Sequence, residues 1–173
     1  MGVSGGSRGI HIKEGYEMTQ YRCKHFVIKE LVNPTLLAKI GENVAWRLFD
    51  ARVLKAADAI RKRYGAMVIN TKDLPDCGLR DPLSTTGAKY SQHKLGNALD
   101  GHILSIEKAA AEIKDPVARK KFKSAEYNKV RETLMANHEF DDLSFEYCSK
   151  ECPTGITWLH FEVSNRENRL FNA

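Results

Sequence analysis

From Thr35 to Tyr64 the sequence keeps a helical pattern, and this long amphipathic stretch limits the fold more than any other feature. Asn33-Pro34 precedes it as a cap with Pro at the first helical position, where a missing N–H removes no hydrogen bond. Ile40, Val44 and Leu48 make one apolar line, and Trp46, Phe49, Val53, Ala57 and Ile60 make a second. Gly41 is expected to break the stretch into two helices. Lys62 and Arg63 suit the negative end of the helix dipole, and Gly65 supplies the stop. Ala66 to Asn70 (AMVIN) then reads as a short buried strand. Pro, Gly, Asp and Ser recur from Thr71 to Tyr90, which makes that segment a long loop, and long loops inside compact domains usually carry function.

The remainder follows the same logic. Asn97 to Leu104 (NALDGHIL) alternates like a strand, and Ser105 is placed to cap a short helix from Ile106 to Lys114. Asp115-Pro116 begins another helix that runs to about Ala136, with Phe122, Val130 and Leu134 inward and its Lys, Arg and Glu residues solvated. Two further strands are expected, Leu143 to Tyr147 and Thr157 to Val163, joined by a loop containing Cys148, Cys152 and Pro153. Helices first and strands after predict an α+β single domain over residues 18–173, with N-terminal helices packed on a small, mostly antiparallel sheet. The first seventeen residues, MGVSGGSRGIHIKEGYE, read as a flexible Gly-rich arm. Within it GGSRGI resembles a dinucleotide-binding turn, but no strand precedes it and no apolar helix follows.

Composition narrows the function classes. Hydrophobic residues are 42% and charged residues 28% of 173, an ordinary globular balance. No apolar run is long enough to span a membrane, and no secretory signal opens the chain, so action outside a cell needs another export route. Four scattered cysteines do not build a disulfide scaffold, and the default reading is reduced, packed thiols. Cys148 and Cys152 with His138 lack the spacing of a zinc site. A net charge of +5 permits an anionic polymer as partner. Nucleic acid is disfavoured, because the basic Ala118 to Arg131 segment has no aromatic or glycine signature beside it.

The chemistry concentrates in Ser91-Gln92-His93-Lys94-Leu95-Gly96-Asn97-Ala98-Leu99-Asp100. If His93 projects from a loop and the chain turns at Gly96, the following strand carries Asp100 back beside His93. An imidazole and a carboxylate so placed are two legs of a tetrahedral zinc site. His160, in Thr157-Trp158-Leu159-His160-Phe161-Glu162, is available as the third, and His102 is an alternative ligand. Three protein ligands leave a position for water, the arrangement of a catalytic zinc, which brings the pKa of that water to about 7.

SQHKLGNALD followed by TWLHFE resembles the zinc peptidases of the D-alanyl-D-alanine carboxypeptidase and L-alanyl-D-glutamate endopeptidase superfamily, which includes phage endolysins that cut peptidoglycan stem peptides. The shared pattern is Ser-x-His-x-x-Gly-x-Ala-x-Asp with a distant Trp-x-His. The likeness extends from about Tyr21 to Val163 and takes in FVIKELV (Phe26 to Val32) and FDDLSFE (Phe140 to Glu146). It implies that His93, Asp100 and His160 bind Zn2+, and that Arg80 holds a substrate carboxylate or the oxyanion. Ser91 and Gln92 are expected to orient the ligands.

One departure from the pattern matters. Many active members carry an acid three positions before the last ligand His, as general base, and here that position is Thr157. Glu146 is then the first candidate for the base, and Glu162, two residues after His160, the weaker one. The resemblance implies a zinc metallopeptidase acting on bacterial peptidoglycan, either a phage lysin held in the host cytoplasm before lysis or a virion-associated enzyme. Its rival is a non-catalytic structural or binding component of a phage particle that keeps the fold and contacts other virion proteins.

Overall fold

Asn33 caps the first helix as its sequence implies, its side-chain oxygen accepting the N–H groups of Thr35 and Leu36. This computed structural model describes residues 20–147, 155–163 and 170–172. The expected arm at 1–17 and the loop with Cys148 and Cys152 lie outside the described residues. The α-helices among the described residues are, in order, α1 (Pro34–Ile40), α2 (Glu42–Arg47), α3 (Ala51–Tyr64), α4 (Leu104–Ala111) and α5 (Pro116–Met135). Gly41 divides α1 from α2, and Asp50 caps α3 by accepting the Arg52 N–H.

The strands are β1 (Met67–Val68), β2 (Ala98–Ile103), β3 (Ser144–Tyr147), β4 (Leu159–Glu162) and β5 (Leu170–Asn172). They form one sheet in the order β1-β2-β4-β3-β5, antiparallel except for the β3–β5 pair. The architecture is therefore the expected α+β single domain, with β5 as a strand the sequence pattern does not announce. Three details differ from expectation. The stretch from Thr35 to Tyr64, expected as two helices, forms three, because α2 stops at its C-cap Leu48 and Asp50 caps a new start for α3. The helix expected from Ile106 begins at Leu104, so Ser105 lies inside it and the N-cap Ile103 makes no side-chain hydrogen bond. Val44 and Leu48, expected as part of an apolar line, are about half exposed, whereas the Trp46, Phe49, Val53, Ala57 and Ile60 line is buried.

Register fixes which side chains share a face of the sheet. Leu99 stands opposite Phe161, and Phe161 opposite Phe145; all three are fully buried and join the core that α3 helps to fill. The alternate residues face the other way, Asp100 opposite His160 and Ala98 opposite Glu162. Phe145 pairing with Phe161 sets the next residue, Glu146, abreast of His160.

Buried polar groups tie the layers together. Asp58 of α3 accepts hydrogen bonds from the Tyr21 hydroxyl (2.7 Å) and from the backbone N–H groups of Lys24 (2.7 Å) and His25 (2.9 Å), securing the chain's approach to α1. The Tyr127 hydroxyl of α5 donates to Glu107 of α4 and accepts from the Ile103 N–H of β2, each at 2.8 Å. Glu107 also meets Lys123 at 2.8 Å and His102 at 3.5 Å. Burial alone pushes the Glu107 carboxyl up, but hydrogen bonds from His102, Lys123 and Tyr127 outweigh it and bring the group to about 2. A folded-state value below the ordinary 4.5 means that this stabilisation is complete above about pH 4.5 and is lost as pH falls through about 2. Thermal melts across that window are expected to show the gap between wild type and Glu107→Gln narrowing as acid is added. A constant gap would refute the assignment.

Candidate metal centre

His93 sits on a 3-10 turn, Gln92–Leu95, that ends at Gly96 in the left-handed region (φ 72°). A Cβ on Gly96 would lie 1.9 Å from the Leu48 carbonyl oxygen, and the Gly96 carbonyl accepts the Asp50 N–H at the start of α3. Gly96 is thus required both by its backbone conformation and by the close approach to Leu48. Gly96→Ala is expected to cost about 3 kcal/mol or more of stability, from positive φ together with the clash, and to release bound metal. Urea unfolding and metal content would show it; an unchanged midpoint would contradict the tight turn.

Beyond that turn, β2 carries Asp100 back beside His93, and the β2–β4 register brings His160 alongside. His93 Nε2 lies 3.4 Å from His160 Nδ1 and 3.3 Å from Asp100 Oδ2. His160 Nδ1 lies 2.7 Å from Asp100 Oδ1. The three side chains are buried, and among the described residues they form a group that can hold a metal ion, its ligand atoms all within 4.8 Å of one another. A tetrahedral ion with bonds of about 2.0–2.1 Å needs ligand atoms about 3.3–3.4 Å apart, and two of these separations match.

The outer nitrogens support the same use. His93 Nδ1 lies 3.0 Å from the Gly78 carbonyl oxygen and donates its proton there. His160 Nε2 lies 3.0 Å from Glu162 Oε2, a carboxylate that can accept a proton. Each imidazole therefore has an acceptor on its far side and can offer its inner nitrogen, once deprotonated, to an ion held between the two rings and Asp100. Burial pushes the Asp100 carboxyl up, but hydrogen bonds from His160 and His93 prevail and hold it well below the usual carboxylate range. Burial likewise pushes His160 down, while hydrogen bonds to Asp100 and Glu162, with the Glu146 charge nearby, bring it up to about 9.

Segment 76–80 frames two of the three residues of the cluster. The Cys77 carbonyl accepts the Asp100 N–H (2.7 Å), the Gly78 carbonyl takes His93 Nδ1, and the Arg80 N–H donates to the His93 carbonyl (3.2 Å). Gly78 itself is seated by its N–H on Asn70 Oδ1 (2.8 Å), and a Cβ there would fall 1.9 Å from the Leu31 carbonyl oxygen. Arg80 points Nη2 at Asp100 Oδ2 (3.3 Å) and donates from Nε to the Asp76 carbonyl, leaving Nη1 over Gly87.

The other candidates from the sequence separate clearly. Glu146 is half-buried beside His160 on the β3–β4 ladder, close enough for its charge to act on that imidazole. Glu162 faces the far nitrogen of His160 instead. Thr157 precedes β4 and brings no carboxylate. His102 engages Glu107 rather than the cluster, and His138 lies at the surface against Asp141. Gln92 was expected to orient a ligand, but its side chain accepts from Asn97 (3.0 Å); the Gly78 carbonyl is what orients His93. The sequence reading missed the outer roles of Gly78 and Asn70, for which no motif exists, and that of Glu162, whose position two residues from His160 on one strand is the signal available.

In comparisons with known proteins, no family model, no curated protein and no solved structure matches the chain. Among the described residues, no helix is long and apolar enough to cross a membrane.

Proposed function

We propose that this chain is a zinc-dependent peptidase that hydrolyses stem-peptide bonds of bacterial peptidoglycan, acting as a phage lysin or as a virion-associated enzyme. The observation that carries the reading is the buried meeting of His93 Nε2, His160 Nδ1 and the Asp100 carboxylate, each imidazole with an acceptor behind it. Two nitrogens and one oxygen suit zinc, and three protein ligands are the number found in its catalytic sites. The peptide substrate and its wall context rest on the resemblance carried by Ser91 to Asp100 and by Trp158-x-His160.

His93, Asp100 and His160 would hold the zinc, which would supply Lewis acidity to polarise the scissile carbonyl and to acidify the attacking water. Glu146, abreast of His160, accepts the proton of the attacking water and returns it to the leaving amine. Arg80, fixed by Asp76 and Asp100, keeps Nη1 for a substrate carboxylate or for the charge that develops on the carbonyl oxygen. Glu162 is excluded as base by its engagement with His160.

The test is metal analysis joined to a peptidoglycan digest. One equivalent of zinc, loss of wall hydrolysis on chelation and recovery on adding zinc are the expected results. Full zinc occupancy without any hydrolysis would overturn the enzymatic reading in favour of a structural component of a phage particle. The absence of Thr157's usual carboxylate favours that outcome as the second reading.

A further inference from the structure

The two imidazoles of the cluster face it through different nitrogens. His93 offers Nε2 because the Gly78 carbonyl takes the proton on Nδ1 at 3.0 Å. His160 faces the cluster through Nδ1, which reverses the arrangement: a lone pair on Nδ1 requires the proton to sit on Nε2. Nε2 lies 3.0 Å from Glu162 Oε2, and both side chains are buried.

Glu162 reaches that position through the sheet. Two residues along β4 from His160, it shares the same face, and its cross-strand neighbours are Ala98 on one side and Ser144 on the other. Both are small, so the row leaves space for a glutamate to fold back along its own strand. Glu162 is almost wholly buried, and a carboxylate placed there needs a strong donor, which the ring N–H supplies.

We infer that Glu162 is a positioning residue that fixes the ring orientation and tautomer of His160, so that Nδ1 rather than Nε2 meets the metal. The inference rests on reading the cluster as a metal centre and adds to it the residue on which its third ligand depends. A carboxylate behind a ligating imidazole also raises the basicity of the coordinating nitrogen, and removing such a partner commonly weakens metal binding about 10–100-fold.

Glu162→Ala and Glu162→Gln separate this role from general packing. Zinc affinity is to be measured by competition with a chromophoric chelator. The coordinating nitrogens are to be read by long-range 1H–15N spectra of the cadmium-113-loaded full chain, where coupling marks the ligating atom. In wild type, coupling is expected at Nε2 of His93 and at Nδ1 of His160. Glu162→Gln keeps an acceptor oxygen and is expected to retain both couplings, with affinity within a few-fold of wild type. Glu162→Ala is expected to lose about 10–100-fold in affinity and to lose the single His160 Nδ1 coupling, while His93 keeps its own.

Three results would overturn the inference: Glu162→Ala binding as tightly as wild type through His160 Nδ1, Glu162→Gln failing as badly as the Ala variant, or wild-type coupling at His160 Nε2. If Glu162→Ala does not fold, the Gln variant and the wild-type couplings still decide. A wild-type chain that takes up no metal would instead refute the metal centre itself, which keeps the two failures apart.

Discussion

His160→Ala is expected to empty the centre and to weaken the fold at the same time. Zinc held by protein ligands contributes about 10–16 kcal/mol in four-ligand sites, so one ligand accounts for about 3 kcal/mol, or roughly two orders of magnitude in affinity. The stability effect has a separate origin. His160 stands between Asp100 (2.7 Å) and Glu162 (3.0 Å), and its removal leaves two buried carboxylates without the imidazole that partners both. Breaking a buried charge pair in this way costs about 3–5 kcal/mol. Arg80 still supports Asp100 at 3.3 Å, so that carboxylate keeps a positive neighbour. Zinc analysis after dialysis and a thermal melt of the metal-free proteins measure the two effects independently. A variant that keeps one equivalent of zinc would show that the metal sits elsewhere; one that melts with wild type would show that the carboxylates do not depend on the ring.

The second large effect is catalytic. On the proposed peptidase function, Glu146→Gln is expected to lower the rate of wall hydrolysis by about 10²–10⁴-fold while zinc content stays at the wild-type level, because a general base contributes on that scale and Glu146 is not in the His93-Asp100-His160 group. The substitution preserves shape and removes only the ability to take a proton. Its position makes the prediction specific: Glu146 lies beside His160 across the β3–β4 ladder, whereas Glu162 points at the far side of the same ring. Undiminished hydrolysis would remove Glu146 from the chemistry and leave the ligands untouched. A parallel loss of zinc would recast it as part of the metal's support.

The sequence made the helices legible because their signals are local. Asn33-Pro34, Gly41 and Asp115-Pro116 each state a start or a break within a few residues, and the structure places α1, α2 and α5 accordingly. Ser105 misled for the same reason: a good capping residue was available, but the chain turned directly from β2 into α4 two residues earlier. The short β5 pairs parallel to β3 from far along the chain, an arrangement no local pattern announces. His93 and Asp100 converge as their spacing implied, since the chain turns at Gly96 between them, and His160, which the resemblance assigned to the same site, joins them through the β2–β4 register. What surrounds them was not legible. The acceptor for His93 is a main-chain oxygen, and a carbonyl carries no signature in the residue type that bears it.

That difference has a consequence for how this centre tolerates change over generations. A point mutation can replace any side chain but cannot delete a peptide oxygen. The Asp76–Arg80 stretch, which braces His93 and Asp100 largely through peptide groups, is insulated from most single-codon substitutions apart from those that add bulk at Gly78. The Nε2 side of His160 is braced instead by a side chain, that of Glu162, which a single codon change can replace. Lineages that drift away from metal use are therefore expected to lose the glutamate at position 162 before the backbone frame around His93 gives way.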